Sequence, residues 1–305
     1  MKKPPPVVIL NKHARRVRAV LRQLEQEGRR LGASRWHLVS GPELETCLRQ
    51  ERTRGGSIII GGGDGTIRTA AQVLAGSAIP LGIIPLGTGN NLAHNLGLPL
   101  DWQEAIAVAI NGRPHAITLG RVNGHIFCSS ASLGLSVHTV LAIPRAAKRR
   151  FGYLAYLAAG TRQFLRSEAV QYRLTIGSKV YHFMTHQLLI ANTTYQGRLL
   201  IARGTNTGDD HLEIIAFGLH RSRTEHLKDT VLLLINPRRA WKATLITTAA
   251  RCTVHAYPPQ AIDTDGEVLT ATPATMCAEP RTLIIRLPRQ TPRRRLQKEH
   301  GASAY

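Results

Sequence analysis

The sequence predicts an α/β plus β protein of two domains, a doubly wound parallel α/β domain followed by an antiparallel β-sandwich domain. Three observations point there. A chain of 305 residues with 43% hydrophobic content exceeds the usual single-domain length. Its first third alternates short, wholly apolar runs with helical patterns, the rhythm of βαβ units. From about residue 116 the texture changes to alternating β-branched and aromatic segments separated by Gly, Asn and Asp clusters.

In order, VVIL at 7–10 reads as a buried strand, Arg15 to Leu31 as a charged amphipathic helix, HLVS at 37–40 as a strand and Glu43 to Arg49 as a second helix. SIII at 57–60 is the next strand, Ile67 to Leu74 a helix, PLGIIPL at 80–86 a strand and Asp101 to Ile110 a helix. Residues 1–115 form the first domain, to which a strand at about 280–290 returns; residues 116–279 form the second. In the second, VYHFMTHQLLIA at 180–191 and HLEIIAF at 211–217 are strand-like, and TLIIRLP at 282–288 is the returning strand. One helical insertion, 146–166, mixes arginines with aromatic and apolar residues. Such a helix suits either an anionic bilayer interface or the core with a solvated basic end. The tail from 291 to 305 is basic and expected to be disordered.

Forty Lys and Arg against 19 Asp and Glu leave a net charge of +21, so an anionic partner is expected. Aromatics are only 5% and are not interleaved with the basic residues, and no zinc finger or RNP box is present, so no specific nucleic acid is expected. Cys47, Cys128, Cys252 and Cys277 form no Cys-x-x-Cys pair and read as free thiols of a reducing cytoplasm. No stretch approaches the roughly 20 apolar residues of a membrane span. Any membrane contact is therefore expected to be peripheral.

The strongest local signal is SIIIGGGDGT, a buried strand entering Gly61, Gly62, Gly63, Asp64, Gly65 and Thr66 ahead of a helix. Consecutive glycines admit a phosphate to the backbone, and a helix amino terminus offers it unpaired N–H groups. Asp64 would repel a phosphate unless a divalent cation lay between them. Alone, such a turn could equally be a glycine-rich connection with an Asp cap. A second strand–turn–helix, IIPLGTGNNLAHNLGL at 83–98, places Pro85, Gly87, Thr88, Gly89 and Asn90 at another strand's carboxyl end, where open α/β sheets bind ligands. Neither turn ends in the Gly-Lys-Ser/Thr of a Walker loop.

These two motifs, with Asp265-Gly266-Glu267 late in the chain, resemble the diacylglycerol kinase catalytic-domain family, which includes sphingosine, ceramide and bacterial lipid kinases. The resemblance covers nearly the whole chain and implies a lipid kinase that uses ATP and Mg²⁺, cytoplasmic and peripherally membrane-associated. Diacylglycerol is the first choice of acceptor and a homodimer is possible. It further implies ATP in an interdomain cleft, against Asn11, Gly62, Gly63, Asp64, Gly65 and Thr66, with Gly87, Thr88 and Asn90 completing the site. Asp64 would hold the metal, Asp265 would take the proton of the attacking hydroxyl, and Glu267 would orient Asp265 or assist the metal. Asp263 competes for the role of base. A second, structural metal site is implied at Asn206, Asp209 and Leu212, weakened because Asn brings no charge.

Several positions depart from the family pattern: only Asn11 remains of an Asn-Pro-x-Ser/Ala-Gly turn, and Arg68, Thr69, Asn91 and His94 stand where Asn, Glu, Asp and Arg are usual. Asp210 replaces the common Gly after Asp209. Asp-Gly by itself favours a hairpin turn. Two alternatives stay open, an NAD kinase and a relative that binds anionic lipid with weakened turnover.

Overall fold

The computed structural model describes residues 4–135, 168–196, 199–200, 207–217 and 245–289. The insertion at 146–166 and the tail at 291–305 lie outside the described residues. The chain divides into two compact units, Met1–Ile117 with Thr282–Tyr305, and Thr118–Arg281.

In the first unit, β1 (Val7–Asn11), α1 (Val17–Arg30), β2 (Arg35–Val39), α2 (Gly41–Arg54), β3 (Ile58–Gly62), α3 (Asp64–Leu74), β4 (Leu81–Pro85), α4 (Asn91–Asn95) and α5 (Trp102–Asn111) follow in order. The strands pair in parallel as β2-β1-β3-β4. A parallel sheet covered on both faces needs apolar residues at every position, and β3 and β4 are buried throughout. Val8, Leu10, Ile59, Ile84 and Leu86 pack with Leu24 of α1 and Ala105, Ile106 and Ala109 of α5. A Cβ at Gly82 would lie 2.5 Å from the Ala109 carbonyl oxygen, so glycine there lets α5 approach β4. Leu44 and Leu48 of α2 and Ile67, Ala70 and Leu74 of α3 bury their apolar stripes as well. The second helix is longer at both ends than its apolar pattern suggested; its start is fixed by a capping box of Ser40 and Glu43, in which the Ser40 N–H donates to Glu43 Oε2 at 2.7 Å.

The order β2-β1-β3 reverses direction between β1 and β3, which makes the carboxyl ends of those strands the topological switch point.

The second unit contains β5 (Arg113–Val122, shared with the first), β6 (His125–Phe127), β7 (Ser130–Gly134), β8 (Val170–Ile176), β9 (Lys179–Thr185), β10 (Gln187–Ala191), β11 (Tyr195–Gln196), β12 (Leu199–Leu200), β13 (Leu212–Phe217), β14 (Leu245–Ala249), β15 (Arg251–Tyr257), β16 (Ala261–Thr264), β17 (Glu267–Ala271) and β18 (Ala274–Leu287). One antiparallel sheet runs β14-β13-β10-β7-β16-β17. Against it lies a second, in which β8 pairs with β9 and β15, and β15 with the first half of β18. Ala131, Leu133, Leu188, Ile190, Ile214 and Ile262 from one sheet meet Tyr172, Leu174, Phe183, Val254 and Met276 from the other. This is a β-sandwich core.

The run at 180–191 is two strands rather than one: β9 pairs with β8, whereas β10 pairs with β7 and β13 in the opposite sheet. Strand β18 serves both units. Its Ala274–Cys277 segment pairs with β15, and after Arg281, which takes a left-handed φ of 52°, Ile285 pairs in parallel with Leu81 of β4.

Candidate active site

Asn11 ends β1 and Gly62 ends β3, one on each side of the switch point. Asn11 Nδ2 donates to Thr66 Oγ1 at 2.9 Å, and Asn11 Oδ1 accepts the His13 N–H at 2.9 Å. The Asn11 amide therefore ties the first turn of α3 to β1, and only a side chain that both donates and accepts can do so.

Gly63 precedes α3 with extended backbone, and Asp64 opens the helix. The Asp64 carboxylate reaches across to the next turn, where Oδ1 accepts the Asn91 N–H at 2.6 Å. Burial pushes the Asp64 carboxyl above its ordinary range, while the main-chain N–H groups of Asn91, Asn90 and Leu92 pull it back part of the way. The two turns also touch backbone to backbone: a Cβ on Gly87 would stand 2.4 Å from Gly63 Cα. A Cβ on Gly89 would stand 2.8 Å from Asp64 Oδ2, so glycine at 89 keeps the second carboxylate oxygen clear.

Asn90 adopts the left-handed conformation, with φ 51° and ψ 42°, and is buried. Its Oδ1 accepts the Gly87 N–H at 3.0 Å and its Nδ2 donates to the Gly87 carbonyl at 3.2 Å. The amide is thus occupied in shaping the turn. Thr88 stands exposed at the crest, and Gly63, Asp64 and Gly65 are partly exposed beside Thr66, which is buried. Of the departures from the family pattern, the Thr69 hydroxyl donates to the Gly65 carbonyl at 3.0 Å, and His94 points to solvent.

In the second unit, Asp265 and Gly266 form the two-residue turn between β16 and β17, with φ 52° and 91°. Two positive φ values in succession define the tight hairpin turn that Asp-Gly favours. The Asp265 carboxylate accepts main-chain N–H groups from Cys128 at 2.6 Å, Ser129 at 2.8 Å and Ser130 at 3.2 Å. The Asp265 N–H donates to the Ser130 carbonyl at 3.1 Å. The hairpin tip is thereby fastened to the strand entering β7. Glu267 is exposed at the start of β17, and its carbonyl accepts from Thr264 Oγ1 at 3.3 Å. Asp263 is buried, its Oδ2 accepting from Ser132 Oγ at 3.2 Å.

Asn206 of the expected second metal loop lies outside the described residues. Asp209 is half-buried in the turn before β13, and Leu212 opens that strand with its side chain in the sandwich core. Among the described residues, no group of three or more His, Cys, Asp and Glu side chains is placed to hold a metal.

Sequence reasoning named Gly89 as part of the second turn without its role beside Asp64, and missed the Asn91 amide and the Cys128–Ser130 amides. Main-chain donors carry no residue signature. Only the second glycine of Gly-Thr-Gly could have drawn attention to the space beside Asp64.

The model for "Diacylglycerol kinase catalytic domain" matches residues 5–122, and that for "YegS C-terminal NAD kinase beta sandwich-like domain" matches 129–287. The chain is 31% identical over 244 residues to a diacylglycerol kinase of Mycobacterium tuberculosis (strain ATCC 25618 / H37Rv), covering 76% of this chain and 77% of that one. It is 39% identical over 107 residues to the "Probable lipid kinase YegS-like" of Klebsiella pneumoniae (strain 342), covering 34% and 36%. The crystal structure of a diacylglycerol kinase from Bacillus anthracis str. Sterne superposes with a TM-score of 0.71 at 17% identity over 95% of this chain and 98% of that one; the likeness bears on the fold. The two-unit architecture and its matches define a kinase. The chain belongs to the diacylglycerol kinase catalytic-domain family of lipid kinases, a family that uses ATP with a divalent cation.

Proposed function

We propose that the chain transfers the γ-phosphoryl group of ATP to the primary hydroxyl of diacylglycerol, yielding phosphatidic acid. The observation that carries this reading is the pair of glycine turns at the switch point, held backbone to backbone and bridged by Asp64. Asn11, Gly62, Gly63, Gly65, Thr66, Gly87 and Thr88 line the nucleotide phosphates in this reading, and Asn90 supports them by fixing the Gly87 turn. Asp64 suits Mg²⁺, a hard cation held by one or two carboxylates together with substrate phosphates and water. Mg²⁺ would offset the charge gathered on the phosphates. The raised Asp64 carboxyl supports the assignment, because a cation restores the ionised form that burial disfavours. Asn206, Asp209 and Leu212 are kept as a separate structural metal loop.

In the transfer, the lipid hydroxyl oxygen forms a bond to the γ-phosphorus, the bond to the β–γ bridging oxygen breaks, and ADP leaves. Asp265 receives the hydroxyl proton, its carboxylate oriented by three main-chain amides. Glu267 assists from the far end of the same turn. The lipid lies in an anionic membrane surface, which the cytoplasmic enzyme meets from one side.

The test is transfer of labelled γ-phosphate to diacylglycerol, monoacylglycerol, sphingosine, ceramide and NAD in parallel, with Asp64→Ala as control. Labelled phosphatidic acid absent from the control supports the reading. Label on NAD alone would replace it with an NAD kinase, and label on another lipid would change the acceptor.

A further inference from the structure

The β8, β9 and β15 strands turn alternate side chains into the sandwich core, so the remaining side chains form one outer face. The strand registers place His182 opposite Arg173, and Arg173 opposite His255, a nitrogen-bearing row across three strands. The neighbouring row holds Met184, Gln171 and Tyr257. Four large apolar side chains stand exposed among the described residues, and three share this face: Val180 at 44%, Met184 at 43% and Tyr257 at 56%. No Asp or Glu occurs in any of the three strands.

We infer that this face is a docking surface for an anionic phospholipid bilayer, an inference that rests on the lipid-kinase reading above. The combination of basic residues with projecting apolar ones fits an interface where headgroups are anionic and the acyl boundary lies just below. Tyr257 has the amphipathic ring that settles at headgroup level. A second copy of the chain fits worse, because a two-fold pairing of the face with itself sets Arg173 and its histidines against like groups. Nucleic acid fits worse because the face carries one aromatic ring and so lacks a stacking platform. The chain's net charge of +21 acts in the same direction at long range.

The experiment uses the full chain with phosphatidylcholine vesicles, with and without phosphatidylglycerol. In flotation, Arg173→Glu combined with Met184→Asp is expected to weaken binding to the anionic vesicles roughly thirtyfold, against about threefold for Arg22→Glu on α1. Equal losses, or no loss, overturn the inference. A measurement that needs no variant is peroxide oxidation of the wild type. Met184 sulfoxide formation should slow on anionic vesicles while Met276, fully buried, serves as the internal reference. Unchanged Met184 oxidation overturns the proposal, as does protection that arises from raising protein concentration alone or from a short DNA duplex. Phosphoryl transfer separates this inference from the kinase reading. Protection on vesicles with no lipid labelled retains the docking face and removes the reading. Equal labelling of vesicle-borne lipid by wild type and double variant does the reverse.

Discussion

The Asp64 carboxylate accepts the main-chain N–H of Asn91 at 2.6 Å, and through that bond the first glycine turn positions the second. The acid proposed to hold the cation is therefore also the strut between the two glycine turns proposed to bind phosphate, and its protonation state bears on both.

Asp64→Ala and Asp64→Asn are expected to lower phosphoryl transfer about 100-fold or more. Stability should move the other way for Asn. A carboxyl raised by burial stabilises the fold fully only below its ordinary value of 3.8, and that contribution is lost as pH rises through the raised value. Nucleotide-free Asp64→Asn should accordingly melt above wild type at pH above neutrality, the difference closing on acidification. Thermal denaturation across pH checks the sign; a variant that melts lower at alkaline pH contradicts it.

Gly87→Ala should cost about 1–3 kcal/mol, because its Cβ would meet Gly63 Cα and neither backbone can yield without parting the turns. Urea unfolding measures the cost, and nucleotide binding by calorimetry should weaken in step.

Asn90→Ala removes both hydrogen bonds to Gly87 and puts a Cβ without a polar partner into a left-handed position, a loss of about 2–3 kcal/mol. Asn90→Gly forfeits the same bonds but tolerates the backbone, so it should be the milder change by about 1 kcal/mol. Equal damage from the two would remove conformation from the account.

Asp265→Asn presents an NH₂ group to at least one of three main-chain donors, which should cost about 2–4 kcal/mol in urea unfolding. If Asp265 also accepts the substrate proton, turnover should fall about a hundred- to ten-thousand-fold and the acidic limb of its pH profile should vanish. A reduced rate with that limb intact would leave the residue as an anchor only.

Much of the first unit could be read from the sequence because parallel strands buried on both faces leave uninterrupted apolar runs, as at 7–10 and 57–60. The sandwich was harder. The run at 180–191 carries Thr185, His186 and Gln187 at its middle but no Gly, Pro, Asn or Asp to mark a turn, yet the chain changes sheets there, since the pairing of β10 with β7 depends on partners more than 50 residues away. Strand β8 carries a weak signal because Gln171 and Arg173 on its outer face dilute its apolar residues. At the site, residue types were legible and roles less so. Asn90 reads as a ligand contact, but its amide is taken up by Gly87 three positions back, a closure set by local dihedral angles. Asp-Gly at 265–266 allowed both a hairpin turn and a functional carboxylate, and the structure builds the turn with the carboxylate clasped in amides.

The shared strand β18 sets an order of events during synthesis. The edge of β4 acquires its parallel neighbour only when Thr282–Leu287 has left the ribosome, after the entire β-sandwich has been translated. Until then the nascent α/β unit carries an open apolar strand, of the kind that invites pairing with other chains. Shortening the protein from its carboxyl end past Leu287 should therefore damage the unit made first, and loss of soluble product, more than loss of the sandwich, would be the visible result.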